Sequence, residues 1–147
     1  MRRLTTTATL LGLTVLGVAV PTTAAQAAES VVAGCADKVG PRDGRIYAWD
    51  APNCLGNPLP GIPVSGDWGP DADDRASAVM NRGYPGGPDV AKFYENSDVS
   101  GGHVCLLPGE LYADDLSDSR FSNGAPVNDN ISSHQWVNRN SCAVFLT

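Results

Sequence analysis

Basic side chains are scarce in this chain: 10 Lys and Arg stand against 16 Asp and Glu. A nucleic-acid binder must meet phosphates with Lys and Arg, so that balance argues against the class. Histidine is scarcer still, with only His103 and His134, and no H-E-x-x-H occurs. There is no G-x-S-x-G, and Ser133 and His134 are neighbours in a segment of strand character, so their side chains point to opposite faces. That pair therefore cannot serve as nucleophile and base, and the chain reads as no enzyme, with a carboxylate pair among the 16 acids as the alternative. Helical periodicity is almost missing. No C-x-x-C is present, which removes the usual zinc spacings.

Long apolar runs are also missing, apart from one near the start. Met1-Arg2-Arg3 leads into the apolar stretch from Ala8 to Val20, Pro21 ends it, and small residues follow to Ala28. Positive, apolar, then small with an A-x-A site is the order of a secretory signal peptide, with cleavage expected after Ala25-Gln26-Ala27. Thirteen residues are too few to cross a hydrocarbon core of about 30 Å as a helix. Val32-Ala33-Gly34-Cys35 has the look of a lipobox, but it stands too far from the apolar run, and lipidating Cys35 would leave an odd cysteine count. The expectation is therefore a secreted, extracellular protein with no membrane association after cleavage. Arg2 and Arg3 fall within the signal, which leaves 8 basic residues against 16 acidic ones in the remainder.

Four cysteines are present, Cys35, Cys54, Cys105 and Cys142, and all follow the signal. An even count in a small exported domain reads as two disulfides with three possible connectivities. The preferred one joins Cys35 to Cys54 and Cys105 to Cys142, one bridge in each half. Turn residues punctuate the chain, as at Asn53, Gly56, Pro60, Gly66 and Gly69-Pro70. Between them lie short segments of strand character: Arg45–Trp49, Val90–Tyr94, His134–Val137 and Ala143–Leu146. Such spacing predicts an all-β sandwich or barrel. A helical turn is expected at most around Leu111–Leu116.

Two segments match each other. Trp49-Asp50-Ala51-Pro52-Asn53-Cys54-Leu55-Gly56 aligns with Tyr94-Glu95-Asn96-Ser97-Asp98-Val99-Ser100-Gly101. Asp73-Asp74-Arg75-Ala76-Ser77 aligns with Asn128-Asp129-Asn130-Ile131-Ser132, and each unit closes on Asn-Arg, at Asn81-Arg82 and Asn138-Arg139. The offset is 45 residues for the glycines and 55 for the acidic pairs, so the second unit carries about ten extra residues between its motifs. Each unit reads as a folded hairpin whose Gly allows a positive φ or a close backbone approach. The organisation expected is a signal at 1–27, an N-terminal segment at 28–44 tied down by Cys35, and one domain at 45–147, with repeats at 45–83 and 90–147.

Those residues resemble a single-domain microbial βγ-crystallin, and in particular the secreted metalloproteinase-inhibitor family of soil actinomycetes. The resemblance covers roughly Arg45 to Asn140. It rests on the aromatic–acid–Gly hairpins Trp49/Asp50/Gly56 and Tyr94/Glu95/Gly101, and on Asn128-Asp129-Asn130-Ile131-Ser132-Ser133. The corresponding Asp73-Asp74-Arg75-Ala76-Ser77-Ala78 departs from the motif at Ala78, where Ser is expected. The resemblance implies two Greek-key motifs and two calcium sites. Asn128, Asp129 and Ser132, and likewise Asp73, Asp74 and Ser77, would supply side-chain oxygens, with backbone oxygen near Asp50 and Glu95 from the partner repeat. Ca²⁺ takes six to eight such oxygens; the plainer reading is that these residues cap turns.

It also implies a peptidase inhibitor, with an extracellular peptidase as partner. Inhibition asks for a rigid loop beside a bridge. The segment His103-Val104-Cys105-Leu106 is the candidate, against the alternative that it is a core strand. A calcium-stabilised structural or stress crystallin and a secreted antimicrobial or killer-toxin-like protein are the rival functions. A monomer with no cofactor other than calcium is expected.

Overall fold

The computed structural model describes residues 34–147. The segment assigned to export, with its cleavage site, lies outside those residues. Seven strands follow in order: β1 (Arg45–Trp49), β2 (Gly66–Asp67), β3 (Ala78–Arg82), β4 (Val90–Asn96), β5 (Ser100–Leu106), β6 (Tyr112–Ala113) and β7 (Ser133–Val137). They form two antiparallel sheets, one ordered β1-β3-β6 and the other β2-β7-β4-β5. The fold is all-β with two disulfides. Among the described residues no helix is long and apolar enough to cross a membrane.

Alternation decides which side chains enter the core. From β1, Ile46 and Ala48 turn inward, with Val79 of β3 and Ala113 of β6. From the other sheet come Ala91 and Phe93 of β4 and Val104 and Leu106 of β5, and Leu116, Phe121, Val127 and Ile131 fill the space from connecting segments. The odd members of β1 and the even members of β3 form a second cluster, in which Trp49, Ala78 and Met80 pack with Cys35 and Cys54. On the other sheet, Val90, Cys105 and Val137 do the same, with Leu107, Cys142 and Phe145 against them. The disulfides are Cys35–Cys54 and Cys105–Cys142. Each therefore pins a terminal segment over the outward side of one sheet.

Both hairpins begin with the same backbone. After Trp49, Asn53, Cys54 and Gly56 have φ of 58°, 54° and 77°; after Tyr94, Asp98, Val99 and Gly101 have φ of 60°, 48° and 83°. The second turn runs on into β5. The first does not, and Leu59 N–H ties it back to β1 at the Ala48 carbonyl, 2.8 Å away. Hence one sheet has four strands and the other three. The short strands are exchanged: β2 from the first half pairs with β7, and β6 from the second half pairs with β3.

Two expected elements differ. Leu111–Leu116 is not a helical turn, because Met80 pairs with Tyr112 and the Asn81 N–H is met by the Leu111 carbonyl at 2.7 Å. Ala143–Leu146 is not a strand of either sheet; a single parallel bridge joins Phe145 to Cys105. Strand β3 was not expected at all. Ala78, Val79, Met80 and Asn81 are all buried, so the strand lies covered on both faces and shows no alternation.

Two polar groups tie the layers together. Asn81 donates to the carbonyls of Asp89 (3.0 Å) and Leu106 (3.1 Å) and accepts from Gly83 N–H at 2.9 Å. Arg42 donates to the carbonyls of Asn81 (3.0 Å), Gly83 (3.1 Å) and Pro108. His134 is fully buried among Trp68, Phe93 and Trp136. Trp68 Nε1–H donates to His134 Nδ1 at 2.8 Å, so the ring proton sits on Nε2, 3.1 Å from the Val64 carbonyl.

Burial lowers the His134 pKa from 6.5 to about 4, against the opposing pull of the Val64 carbonyl. Between those values the unfolded chain holds the extra proton, so this contribution is complete above pH 6.5 and is lost as pH falls towards 4. It amounts to roughly 3 kcal/mol. Urea unfolding of the wild type and of His134→Gln should show this in their difference: the variant loses the part of the pH slope between 6.5 and 4, whereas parallel pH profiles would refute the assignment.

Candidate functional site

The loop before β3 and the loop before β7 lie across one another. A tight turn builds the first, with the N–H groups of Ala72 and Asp73 both donating to the Gly69 carbonyl at 2.8 and 3.0 Å. In the second, Asn130 N–H donates to the Val127 carbonyl at 3.1 Å. Asp74 and Asp129 take the left-handed region, with φ of 53° and 55°. Asp pays less for that conformation than most residues because its short polar side chain bonds locally.

The positive φ turns each Asp toward the opposite loop. Asp74 N–H donates to the Ile131 carbonyl at 3.1 Å, and Asp129 N–H to the Ala76 carbonyl at 3.0 Å. The side chains repeat this reciprocity: Ser132 Oγ donates to Asp74 Oδ1 at 3.1 Å, and Ser77 Oγ to Asp129 Oδ1 at 3.3 Å. Each serine N–H then meets the carbonyl of a hairpin aromatic, Ser77 to Trp49 at 2.7 Å and Ser132 to Tyr94 at 3.0 Å. Two equivalent clamps result, each with a hydroxyl from one loop, a carboxylate from the other and a hairpin carbonyl.

The expected partnership within each loop is thus replaced by one between loops. Aspartate and serine of one loop do not face each other; each faces its counterpart across the crossing. Asp73 and Asn128 stand behind the clamps. Asn128 Nδ2 donates to Asp129 Oδ2 at 2.8 Å, while Asp73 Oδ1 is buried with no hydrogen-bond partner among the described residues. The Asp50 carboxylate pairs with Arg75 at 3.2 Å on the surface. Glu95 accepts from Asn123 Nδ2 at 2.6 Å and Gly102 N–H at 3.2 Å. Neither carboxylate takes part in a clamp's hydrogen bonds.

The two clamps differ where the sequence motif differs. Ser133 Oγ donates to the Asn96 carbonyl at 2.6 Å and so ties the second loop to the second hairpin. Ala78, at the matching place, packs beside Cys35 and Trp49 and ties nothing. Arg75 brings a cation to the first loop, where the second has Asn130. Chemically, each clamp is an all-oxygen set with one carboxylate, which suits a hard cation. Among the described residues no three His, Cys, Asp or Glu side chains converge as a metal group, so any cation would depend on hydroxyls and carbonyls as well.

The segment expected to inhibit, His103 to Leu106, is part of β5 at the end of the four-stranded sheet. Val104 and Leu106 are core residues, and Cys105 is buried in its bridge to Cys142. Their side chains are committed to the interior and do not form a displayed loop. His103 Nδ1 lies 3.1 Å from Ser122 Oγ, and His103 N–H donates to the same oxygen at 3.1 Å. Burial, and then Lys92, lower the His103 pKa. Its Nε2 is buried with no hydrogen-bond partner among the described residues.

Comparison with family models, with curated proteins and with solved structures finds no match for this chain.

Ser132→Ala, Asp74→Ala and the double variant test the cross-loop contact in chelator. Denaturant unfolding should give a coupling of about 0.5–1 kcal/mol, since the pair is partly solvated. Ser132→Ala with Asp129→Ala should be additive by comparison; equal coupling for both combinations would contradict the crossed arrangement.

Proposed function

We propose that this chain is an exported βγ-crystallin-like domain of two Greek keys that binds Ca²⁺ at the two crossed clamps and acts by binding rather than by catalysis. The observation that carries this reading is the reciprocal pairing of Ser132 with Asp74 and of Ser77 with Asp129. Support for the fold comes from the exchange of β2 and β6 between the two halves, which interlocks them as paired Greek keys would. Two disulfides and the order of charges and apolar residues at the N-terminus support export.

Ca²⁺ placed between a serine hydroxyl and an aspartate would replace a bond of neutral hydroxyl to carboxylate with direct coordination, completed by carbonyls and water. The Asp74/Ser132 clamp is the stronger one, since Ser133 braces the loop that supplies its serine. Thermal unfolding in CaCl₂ and in EDTA tests the proposal. One site filled at a hundred times its Kd adds about 2.7 kcal/mol, a rise of several degrees. Asp74→Asn should remove most of the rise and Asp129→Asn a smaller part. An unchanged midpoint at millimolar Ca²⁺ would refute it.

A second reading, inhibition of an extracellular metallopeptidase, is favoured by the loop after Cys54. Leu55 is 37% exposed directly beside a fully buried half of the Cys35–Cys54 bridge. Lys38 Nζ donates to the next carbonyl, that of Gly56. A displayed apolar side chain on a doubly tethered loop loses little entropy on docking. The protein should then inhibit a thermolysin-type peptidase, and Leu55→Gly should weaken inhibition at least about tenfold. Unchanged peptidase activity at a large molar excess would refute this second reading and leave the calcium proposal untouched.

A further inference from the structure

Away from the clamps, the connection Gly83–Pro88 borders an open groove of about 540 Å³. Tyr84, Pro88, Val64 and Trp136 line it, with Asp43 and Arg45. Such a volume lies within the range of about 300–1,000 Å³ usual for ligand pockets. Tyr84 is 65% exposed and Val64 55%, two of the three large apolar side chains most open to water among the described residues.

The walls are fixed even though their faces are bare. A Cβ on Gly83 would stand 2.5 Å from the Trp136 ring, and one on Gly44 2.8 Å from the Tyr84 ring, so both aromatics rest directly on backbone. Trp136 Nε1–H donates to the Val64 carbonyl at 2.8 Å. Gly83 N–H is held by Asn81 Oδ1 at 2.9 Å, and Gly86 N–H by Asp89 Oδ2 at 3.0 Å. A groove held this way loses little freedom when filled.

Its polar inventory is one-sided. Asp43 is already partnered: Oδ1 accepts from Arg45 N–H at 3.1 Å and Oδ2 from the Tyr47 hydroxyl at 2.7 Å, with Arg82 3.6 Å away. The Arg45 side chain is exposed and has no hydrogen bond or ion pair among the described residues. The groove thus offers aromatic and aliphatic walls with one unspent cation. Among its lining residues Asp43 is the one side-chain carboxylate and there is no side-chain amide. In a chain with more acidic than basic residues, an uncommitted guanidinium beside bare aromatics marks a place for an incoming anion.

We propose that this groove docks an extended apolar peptide segment bearing a carboxylate, with its apolar side chains against Tyr84, Val64 and Trp136 and its carboxylate on Arg45. The site is separate from the clamps, and the proposal stands whether or not they take calcium.

Nitrogen-15 chemical-shift titration of the disulfide-bonded protein tests it, with acetyl-Leu-Pro-Leu-Glu amide, its Gln counterpart and chitotriose as probes. The Glu peptide should move the Trp136 indole resonance and the amides of Gly83, Tyr84, Gly86 and Gly87, binding about five-fold tighter than the Gln peptide. Arg45→Gln should erase that difference, and Tyr84→Ala should weaken both peptides while leaving the rest of the spectrum in place. No movement at about 5 mM peptide would overturn the proposal, as would equal binding of the Glu and Gln peptides. Movement of the same resonances by chitotriose alone would overturn it in favour of a sugar site.

Discussion

The loop crossing sets the terms for the rest of the molecule. Asp74 N–H reaches the Ile131 carbonyl and Asp129 N–H reaches the Ala76 carbonyl, so each loop supplies the backbone partner that the other needs. Strand β2 closes one sheet with residues from the first half, and β6 closes the other with residues from the second. Neither half can complete its own sheet. The exchange forces the connecting loops to pass one another, and the passage places serine and aspartate from opposite halves within hydrogen-bond reach. These contacts are distant in sequence and close only when both sheets are built, so they carry a loop-closure cost in folding.

The disulfides serve a different end. Their sequence separations are 19 and 37, and bridges closing loops of that size contribute roughly 3–4 kcal/mol each on the chain-entropy account. More locally, they hold the two terminal segments over the sheets' outward sides, where Trp49 and Met80 on one sheet and Val90 and Val137 on the other are buried. Arg42 extends the same cover: its guanidinium gathers three carbonyls from two connecting segments and the end of β3. A small domain with a thin core gains much from such cover.

Much of this was legible in the sequence, and the limits have physical causes. β1, β4 and β7 announce themselves through β-branched and aromatic residues between turns, and one bridge per half was the preferred of three pairings. The shared turn after Trp49 and Tyr94 was visible as matched residues. Strand β3 was invisible because Ala78 to Asn81 are buried on both faces, which removes the period of two. The clamps were half visible. Spacing reports each acidic–serine loop separately, and nothing local to Asp74 says that its serine is Ser132 and not Ser77. His103–Leu106 could be read as a loop beside a bridge or as a core strand, and the bridge itself pulls Cys105 into the interior. Arg42 carried no signal, since its partners are backbone carbonyls with no sequence signature.

Calcium stoichiometry is the most direct test of the account. Isothermal titration calorimetry of the metal-free, disulfide-bonded protein should show two Ca²⁺ per chain with unequal affinities, the tighter one abolished by Asp74→Asn and retained in Asp129→Asn. A single site lost equally in both variants, or no heat of binding at millimolar Ca²⁺, would contradict it.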